Sequence, residues 1–222
     1  MLNLNNLGRF ILDMEYAVRG PIVQKAQDLE KSGREIIWCN IGNPQALKQK
    51  PLSWVREVLA LCECPDLLQK QDLFSADVRQ LAESILQQSP HGLGAYSESA
   101  GLGFIRQAVA DFIHKRDGIP TSKDSIFLTD GASKAAQSVL RLLIANDKDT
   151  VLLPIPQYPL YSATVTFFGA KQLGYYLDEK ANWQLNREML QKSLAQGKNQ
   201  GLKARGLVVI NPGNPTGSVL NY

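Results

Sequence analysis

The second half of the chain carries four short apolar runs: Ile126-Phe127-Leu128, Val151-Leu152-Leu153, Leu173 to Leu177 and Leu207-Val208-Val209-Ile210. They constrain the fold more than any other feature. A strand with one wet face alternates apolar and polar residues, and these runs do not alternate. They read as strands buried on both faces. The segments between them supply the cover. Ala135 to Ala145 is a helix with Val139, Leu140, Leu143 and Ile144 on its apolar side. Leu160 to Phe168 is a short helix despite its β-branched residues, and Asn186 caps a helix from Arg187 to Leu194. Strand and helix in alternation predict an α/β fold with a mostly parallel sheet flanked by helices. The stretch from Gln196 to Arg205 reads as a solvated connection. The chain stops at Tyr222, soon after the last apolar run. A buried parallel strand needs neighbours and covering helices, so the sheet is expected to be incomplete and the chain to be the front part of a longer protein.

The first half is more helical. Gly20-Pro21 opens a helix with Ile22, Ala26 and Leu29 on one face, and Gly33 ends it. Ile36-Ile37-Trp38-Cys39 reads as a short strand broken by Gly42-Asn43-Pro44. Ser53 is expected to cap a helix carrying Val55, Val58, Leu59 and Leu61, which Pro65 stops. Ser75 is the expected N-cap of the clearest amphipathic helix, with Val78, Leu81, Ala82, Ile85 and Leu86 at helical spacing. A loop rich in Gly and Ser runs from His91 to Gly101, and a further helix carries Ile105, Ala108, Val109, Phe112 and Ile113.

Three turns have residues suited to chemistry. After Ile126-Phe127-Leu128 comes Asp130-Gly131-Ala132-Ser133 and then a helix. Small residues admit a ligand to the backbone, and free N–H groups at a helix N-terminus attract an anion, most naturally a phosphate. The same residues also suit a tight turn with Ser133 or Asp130 as a plain N-cap. Pro154-Ile155-Pro156-Gln157-Tyr158-Pro159-Leu160-Tyr161 holds a tyrosine between prolines, where it either presents its ring to a flat ligand or plugs the top of the core. Asn211-Pro212-Gly213-Asn214-Pro215-Thr216-Gly217 follows the last apolar run. Its prolines restrict the backbone on either side of Asn214, which suits recognition beyond the carboxyl end of a strand; an elaborate surface turn is the other reading.

Taken together, these three turns resemble the front half of the fold-type-I aminotransferases that use pyridoxal 5'-phosphate. Tyr96-Ser97-Glu98-Ser99-Ala100-Gly101-Leu102, with Ile105 to Ala110 after it, is similar to the loop and helix that precede the first sheet strand in that family. Met14-Glu15-Tyr16-Ala17-Val18-Arg19-Gly20-Pro21-Ile22 and Ile41-Gly42-Asn43-Pro44-Gln45-Ala46-Leu47 resemble the alanine aminotransferases within it. The resemblance implies that residues 1–50 form an N-terminal arm and the start of a small domain. Residues 51–222 would form the first, incomplete part of the large coenzyme domain. It implies that the N–H groups of Ala132 and Ser133, with the Ser133 hydroxyl, hold the coenzyme phosphate. Tyr158 would stack on the pyridine ring and Asn214 would donate to its phenolic oxygen, with the bond before Pro215 cis. Tyr96 would reach the phosphate of a neighbouring subunit, which implies a homodimer, and Gly42 would lie near the substrate carboxylate. Arg19 receives no role.

The implied reaction is L-alanine with 2-oxoglutarate giving pyruvate and L-glutamate in the full-length protein. No catalytic residue is assigned within the chain, because the Schiff-base lysine is expected beyond Tyr222. Lys134, at the start of a helix after the phosphate cup, reads as a solvated surface charge. Two other readings stay open: another class I enzyme, either a different aminotransferase or a carbon–sulfur lyase, and a non-catalytic binding or dimerising fragment. Composition narrows the rest. Hydrophobic residues make up 44% and charged residues 20%, so disorder is excluded as the dominant state. Lys plus Arg is 24 against 21 Asp plus Glu, without clustering, which argues against nucleic acid and membrane surfaces as partners. No apolar run is long enough to span a bilayer. His91 and His114 are the sole histidines beside Cys39, Cys62 and Cys64, so no metal site is expected. An odd number of cysteines without a leader points to reduced thiols and a cytoplasmic setting.

Overall fold

Val151, Leu152 and Leu153 lie at the centre of strand β1 (Asp149–Ile155), of which only Ile155 is not buried. The computed structural model, which describes residues 7–16, 20–39, 42 and 44–220, shows why the run does not alternate. β1 is the middle strand of a parallel sheet, between β2 (Leu173–Tyr176) and β3 (Lys203–Leu207). Val151 and Leu153 face one side and pack with Leu140, Ile144, Val165 and Ala170. These come from helices α5 (Ala132–Leu143) and α6 (Leu160–Phe167) and the residues that follow each. Leu152 faces the other side with Leu173 and Tyr175, under Leu190 of helix α7 (Arg187–Asn199). Each such leucine or valine contributes roughly 1.5–3 kcal/mol on burial. The α/β expectation, a parallel sheet between helices, holds.

Local sequence accounts for several ends. The Asn186 side chain accepts from the N–H of Glu188 at 2.8 Å and starts α7 as expected. α7 runs on to Asn199, into the stretch expected to be a solvated connection, and the rest of that stretch enters β3. Gly197 explains how. A Cβ there would come 2.8 Å from Leu173 Cδ2, so the missing side chain lets the last turn of the helix sit on β2.

β3 begins earlier than the apolar run Leu207 to Ile210 suggested. Val208 N–H still donates to Leu152 O at 2.9 Å. A regular parallel ladder would next bring the N–H of residue 154 to Val208 O, but residue 154 is proline and has none. The Tyr175 hydroxyl donates to Val208 O instead, at 2.7 Å. Arg205 is an extra residue in the β1–β3 register, a bulge whose guanidinium reaches the buried Asp149 carboxylate at 2.7 Å.

The chain divides into two compact units. Residues 1–41 and 130–222 form the first, which holds the sheet, and residues 42–129 form the second. In the second, helices α2 (Ser53–Glu63) and α3 (Ala76–Gln87) bury Val58, Leu61 and Cys62 against Val78 and Ala82. Burial, then neighbouring Glu63, pushes the Cys62 thiol up from its ordinary value. Cys64 and Cys39 are exposed. Ser53 is the first residue of α2 rather than its cap, which is Leu52. Ser75 stands at the N-cap of α3 without capping it; hydrogen bonds from Ser75 and from Trp54 hold the Asp77 carboxyl below its usual range. Helix α4 (Gly103–Asp117) ends at Gly118 in the left-handed region, φ 70°.

Two expected strands do not form. Ile36 to Cys39 has no ladder partner among the described residues, and Ile37 is 86% exposed. Ile126 to Leu128 has no ladder among the described residues either: Ile126 N–H donates to Lys123 O at 3.0 Å in a local turn, and Leu128 N–H donates to Ala100 O at 2.9 Å. A strand needs a neighbour to complete its ladder, and an apolar run does not carry that neighbour with it. In helix α1 (Pro21–Lys31) no residue is buried. Among the described residues no helix is long and apolar enough to cross a membrane.

Candidate functional site

The Asp130–Ser133 turn opens α5. Gly131 holds φ 90°, a region closed to most side chains, and nothing lies within 4 Å of where its Cβ would stand. The backbone there is bare. α5 has no side-chain cap, so the N–H groups of Ala132 and Ser133, in its first turn, have no helical acceptor. Ser133 is exposed, and its hydroxyl has no partner among the described residues. This is a cup of donors at the positive end of a helix dipole. Lys134 is exposed, as expected of a surface charge. It also lines a cavity of about 380 Å³ with Met14, Tyr16, Gln137, Leu160 and Phe167.

Tyr158 follows β1. The Ile155–Pro156 bond is cis, and Pro159 stands at the N-cap of α6. The Tyr158 ring is half-buried; its hydroxyl is hydrogen-bonded to that of Tyr16. Beside it the Gln157 Oε1 is buried without a hydrogen-bond partner.

Asn214 follows β3. The Asn211–Pro212 and Asn214–Pro215 bonds are both cis, the second as the resemblance implied. Gly213 N–H donates to Ser218 O and Gly217 N–H to Gly213 O, both at 2.7 Å. The Asn211 side chain accepts from Leu220 N–H at 3.1 Å. A Cβ on Gly213 would fall 2.5 Å from Thr216 Oγ1, so a side chain there would push the Thr216 hydroxyl from its bond with Ser218. The Asn214 amide is exposed and has no hydrogen-bond partner among the described residues. Asn214, Gly213, Pro156 and Tyr175 line one cleft beyond the carboxyl ends of β1 and β3. Burial pushes the Tyr175 phenol up to about 12.

The Tyr96 loop belongs to the second unit and is built separately. Tyr96 is fully exposed. Glu98, two residues on, accepts from Arg106 Nη2 at 2.7 Å, and Arg106 Nη1 donates to Lys123 O at 3.3 Å. The Arg106 side chain is 10% exposed, so a buried cation anchors the loop. Gly101 holds φ 102°, with a hypothetical Cβ 2.6 Å from Leu128 Cδ1, and closes the turn where no other residue fits. Gly42, also in this unit, is exposed with open space around it. Arg19, Ile41 and Asn43 lie outside the described residues.

The structure thus brings the expected Tyr158 and Asn214 turns to one end of the sheet, and α5, which carries Ala132 and Ser133, packs on α6 beside them. Sequence reasoning gave no role to Tyr16, Tyr175 and Arg106. The Tyr16–Tyr158 bond joins residues 142 positions apart, and no local pattern announces such a pairing. Arg106 does carry a signal: a charged residue at a position of helix α4 that turns inward.

The residues fit a phosphorylated aromatic coenzyme. A bare donor cup, a half-buried tyrosine ring and an unpaired amide donor match an anionic tail, a flat ring and an oxygen substituent. Comparison with known proteins agrees. A family model described as aminotransferase class I and II matches residues 58–222. Glutamate–glyoxylate aminotransferase 1 of Arabidopsis thaliana is 47% identical over 99% of this chain and 46% of its own length. Alanine aminotransferase 2 of Panicum miliaceum is 49% identical over 98% of this chain and 48% of its own. Among solved structures, an alanine aminotransferase from Pyrococcus furiosus superposes with a TM-score of 0.72 at 26% identity, covering 97% of this chain and 46% of that one. The chain spans about half the length of the relatives it matches. The fold is that of the fold-type-I pyridoxal-phosphate enzymes. With a parallel sheet carrying its donor-lined turns at the carboxyl end, and a family match over most of its residues, the chain belongs to the class I and II aminotransferases.

Proposed function

We propose that this chain is the coenzyme-binding front half of an aminotransferase that converts L-alanine and 2-oxoglutarate to pyruvate and L-glutamate. The observation that carries the reading is that the Tyr158 and Asn214 turns both leave the carboxyl ends of neighbouring parallel strands, β1 and β3, with the α5 donor cup in the same unit. On this reading residues 1–50 supply the arm and the start of the small domain, and residues 51–222 the first part of the large one. Ala132 and Ser133 donate to the phosphate, Tyr158 stacks on the ring, and Asn214 donates to the ring oxygen. Bound pyridoxal phosphate supplies a conjugated ring that takes up the electron pair left when an amino acid loses its α-proton. The chain's residues hold and orient that ring, so that the bond to be broken stands where electrons can leave it. The lysine that bonds the coenzyme and moves the proton belongs to the remainder of the protein.

Gly42, open on all sides, suits the approach of a substrate carboxylate. Tyr96, fully exposed on an anchored loop, suits a reach toward the coenzyme phosphate of a second subunit, hence a homodimer. Exposed, unpaired Cys39 and Cys64 are consistent with a reducing, cytoplasmic compartment. Relatives from Dictyostelium discoideum and A. thaliana carry mitochondrial in their names, and cell fractionation decides between the two compartments.

The test is the full-length protein with L-alanine and 2-oxoglutarate, pyruvate being followed by its reduction to lactate. Pyruvate formation that needs added coenzyme supports the reading, and its absence refutes it. A second reading is favoured by the A. thaliana relative named for glutamate and glyoxylate: the same site would move the amino group from glutamate to glyoxylate. Activity with that pair and none with alanine selects it.

A further inference from the structure

Tyr158 has its backbone fixed by Pro156 and Pro159, but prolines on either side do not fix a tyrosine's χ1 and χ2. A half-buried ring needs a side-chain partner to hold one orientation. Tyr16 supplies it. The two hydroxyls are hydrogen-bonded. The ring centroids are 5.9 Å apart and the planes meet at 82°, so Tyr16 uses up no face of Tyr158 by parallel stacking. Tyr16 also lines the cavity that Lys134 and Leu160 share, between the first half of α5 and the length of α6. One side chain from the N-terminal segment therefore touches the Tyr158 turn and borders the residue next to Ser133.

We propose that Tyr16 is a positioning residue for coenzyme binding: its hydroxyl fixes the Tyr158 ring in the plane that stacks on the coenzyme. This rests on the proposed stacking role of Tyr158. It also gives the N-terminal segment a task at the site. Residues 7–16 contribute no helix or strand; Phe10 packs on Gly169 after α6 and Met14 lines the same cavity as Tyr16, and the Tyr16–Tyr158 bond carries the segment on to the proposed site.

The test is a double-mutant cycle in the full-length protein with Tyr16→Phe, Tyr158→Phe and the pair. The readouts are coenzyme affinity by equilibrium dialysis and circular dichroism of the coenzyme absorption band. Loss of one hydrogen bond predicts about two- to tenfold weaker coenzyme binding for Tyr16→Phe. The dichroic band weakens and the melting temperature stays near that of the wild type, since the phenylalanine ring fills the same space. Because either substitution already breaks the bond, the double variant binds no more weakly than the weaker single one. Wild-type affinity in Tyr16→Phe overturns the proposal, and so do losses that multiply in the double variant. Ser133→Ala separates the two levels. If it weakens binding while Tyr16→Phe does not, the coenzyme site stands and Tyr16 has no part in it. If the wild type binds no coenzyme, both readings fall.

Discussion

Replacing Tyr175 by phenylalanine isolates one atom whose task follows from the ladder. Pro154 lacks the N–H that would bond Val208 O, and the Tyr175 hydroxyl takes its place at 2.7 Å. The ring is 1% exposed and the substitution leaves its packing intact. What is lost is one hydrogen bond to a carbonyl with no other ladder donor, which costs roughly 1–3 kcal/mol. For a protein of about this size, that lowers the melting temperature by about 2–12 °C, and by less in a longer chain. The pH dependence has a definite sign. The folded phenol is pushed up to about 12 by burial, against about 10 unfolded. The neutral form is therefore favoured in the folded state, and its contribution is complete below about pH 10 and fades between about pH 10 and 12. The wild type should lose stability over that interval in a way Tyr175→Phe does not, so the gap between their melting temperatures narrows as pH rises. Calorimetry of both proteins from pH 7 to 11.5 measures it. Adding Pro154→Ala to Tyr175→Phe restores a donor and should recover part of the loss. Equal melting temperatures at pH 7, or a gap that stays constant into alkali, would refute the argument.

Three further outcomes follow from the geometry. Ser133→Ala removes one donor from the phosphate cup and should weaken coenzyme binding about tenfold or more, as expected for a bond to a charged group; equilibrium dialysis reads it, and unchanged affinity removes Ser133 from the cup. Leu153→Ala empties a buried site in the layer with Val165 and Ile144, costing about 2–5 kcal/mol in denaturant unfolding. Asp149 is held below the usual carboxylate range by the hydrogen bond from Arg205, with help from the Ala145 N–H. Arg205 is itself 46% exposed, so solvent screens the pair. Its contribution is present above about pH 4 and is lost as pH falls through the lowered folded value; Asp149→Asn should flatten that part of the acid limb in a pH series of melts.

Much of the fold was legible because the signals were local. The non-alternating run at Val151 to Leu153 announced a strand covered on both faces, whereas Leu173 to Leu177 formed a strand buried on the Leu173 and Tyr175 face with Tyr176 exposed on the other; Asn186 marked a helix start by chemistry confined to one turn. The failures were of another kind. Ile36 to Cys39 and Ile126 to Leu128 have strand composition, but among the described residues no neighbouring strand completes their ladders. The stretch from Gln196 to Arg205 was polar enough to look like a connection, although Gly197 lets helix pack on sheet there and Arg205 bulges to reach Asp149. In the site, Ala132, Ser133, Tyr158 and Asn214 stood out through the glycines and prolines around them.

By itself, the order of residues determined which turns are open or stiff: a glycine before α5, and prolines around Tyr158 and Asn214. Those properties depend on covalent geometry and nearest neighbours. Tertiary structure alone decided which distant groups complete them. Tyr16 meets Tyr158, and Tyr175 stands in for the absent N–H of Pro154. Such pairings depend on how the sheet and its covering helices pack, and hydrogen bonds over that sequence distance leave no periodicity in the chain to read.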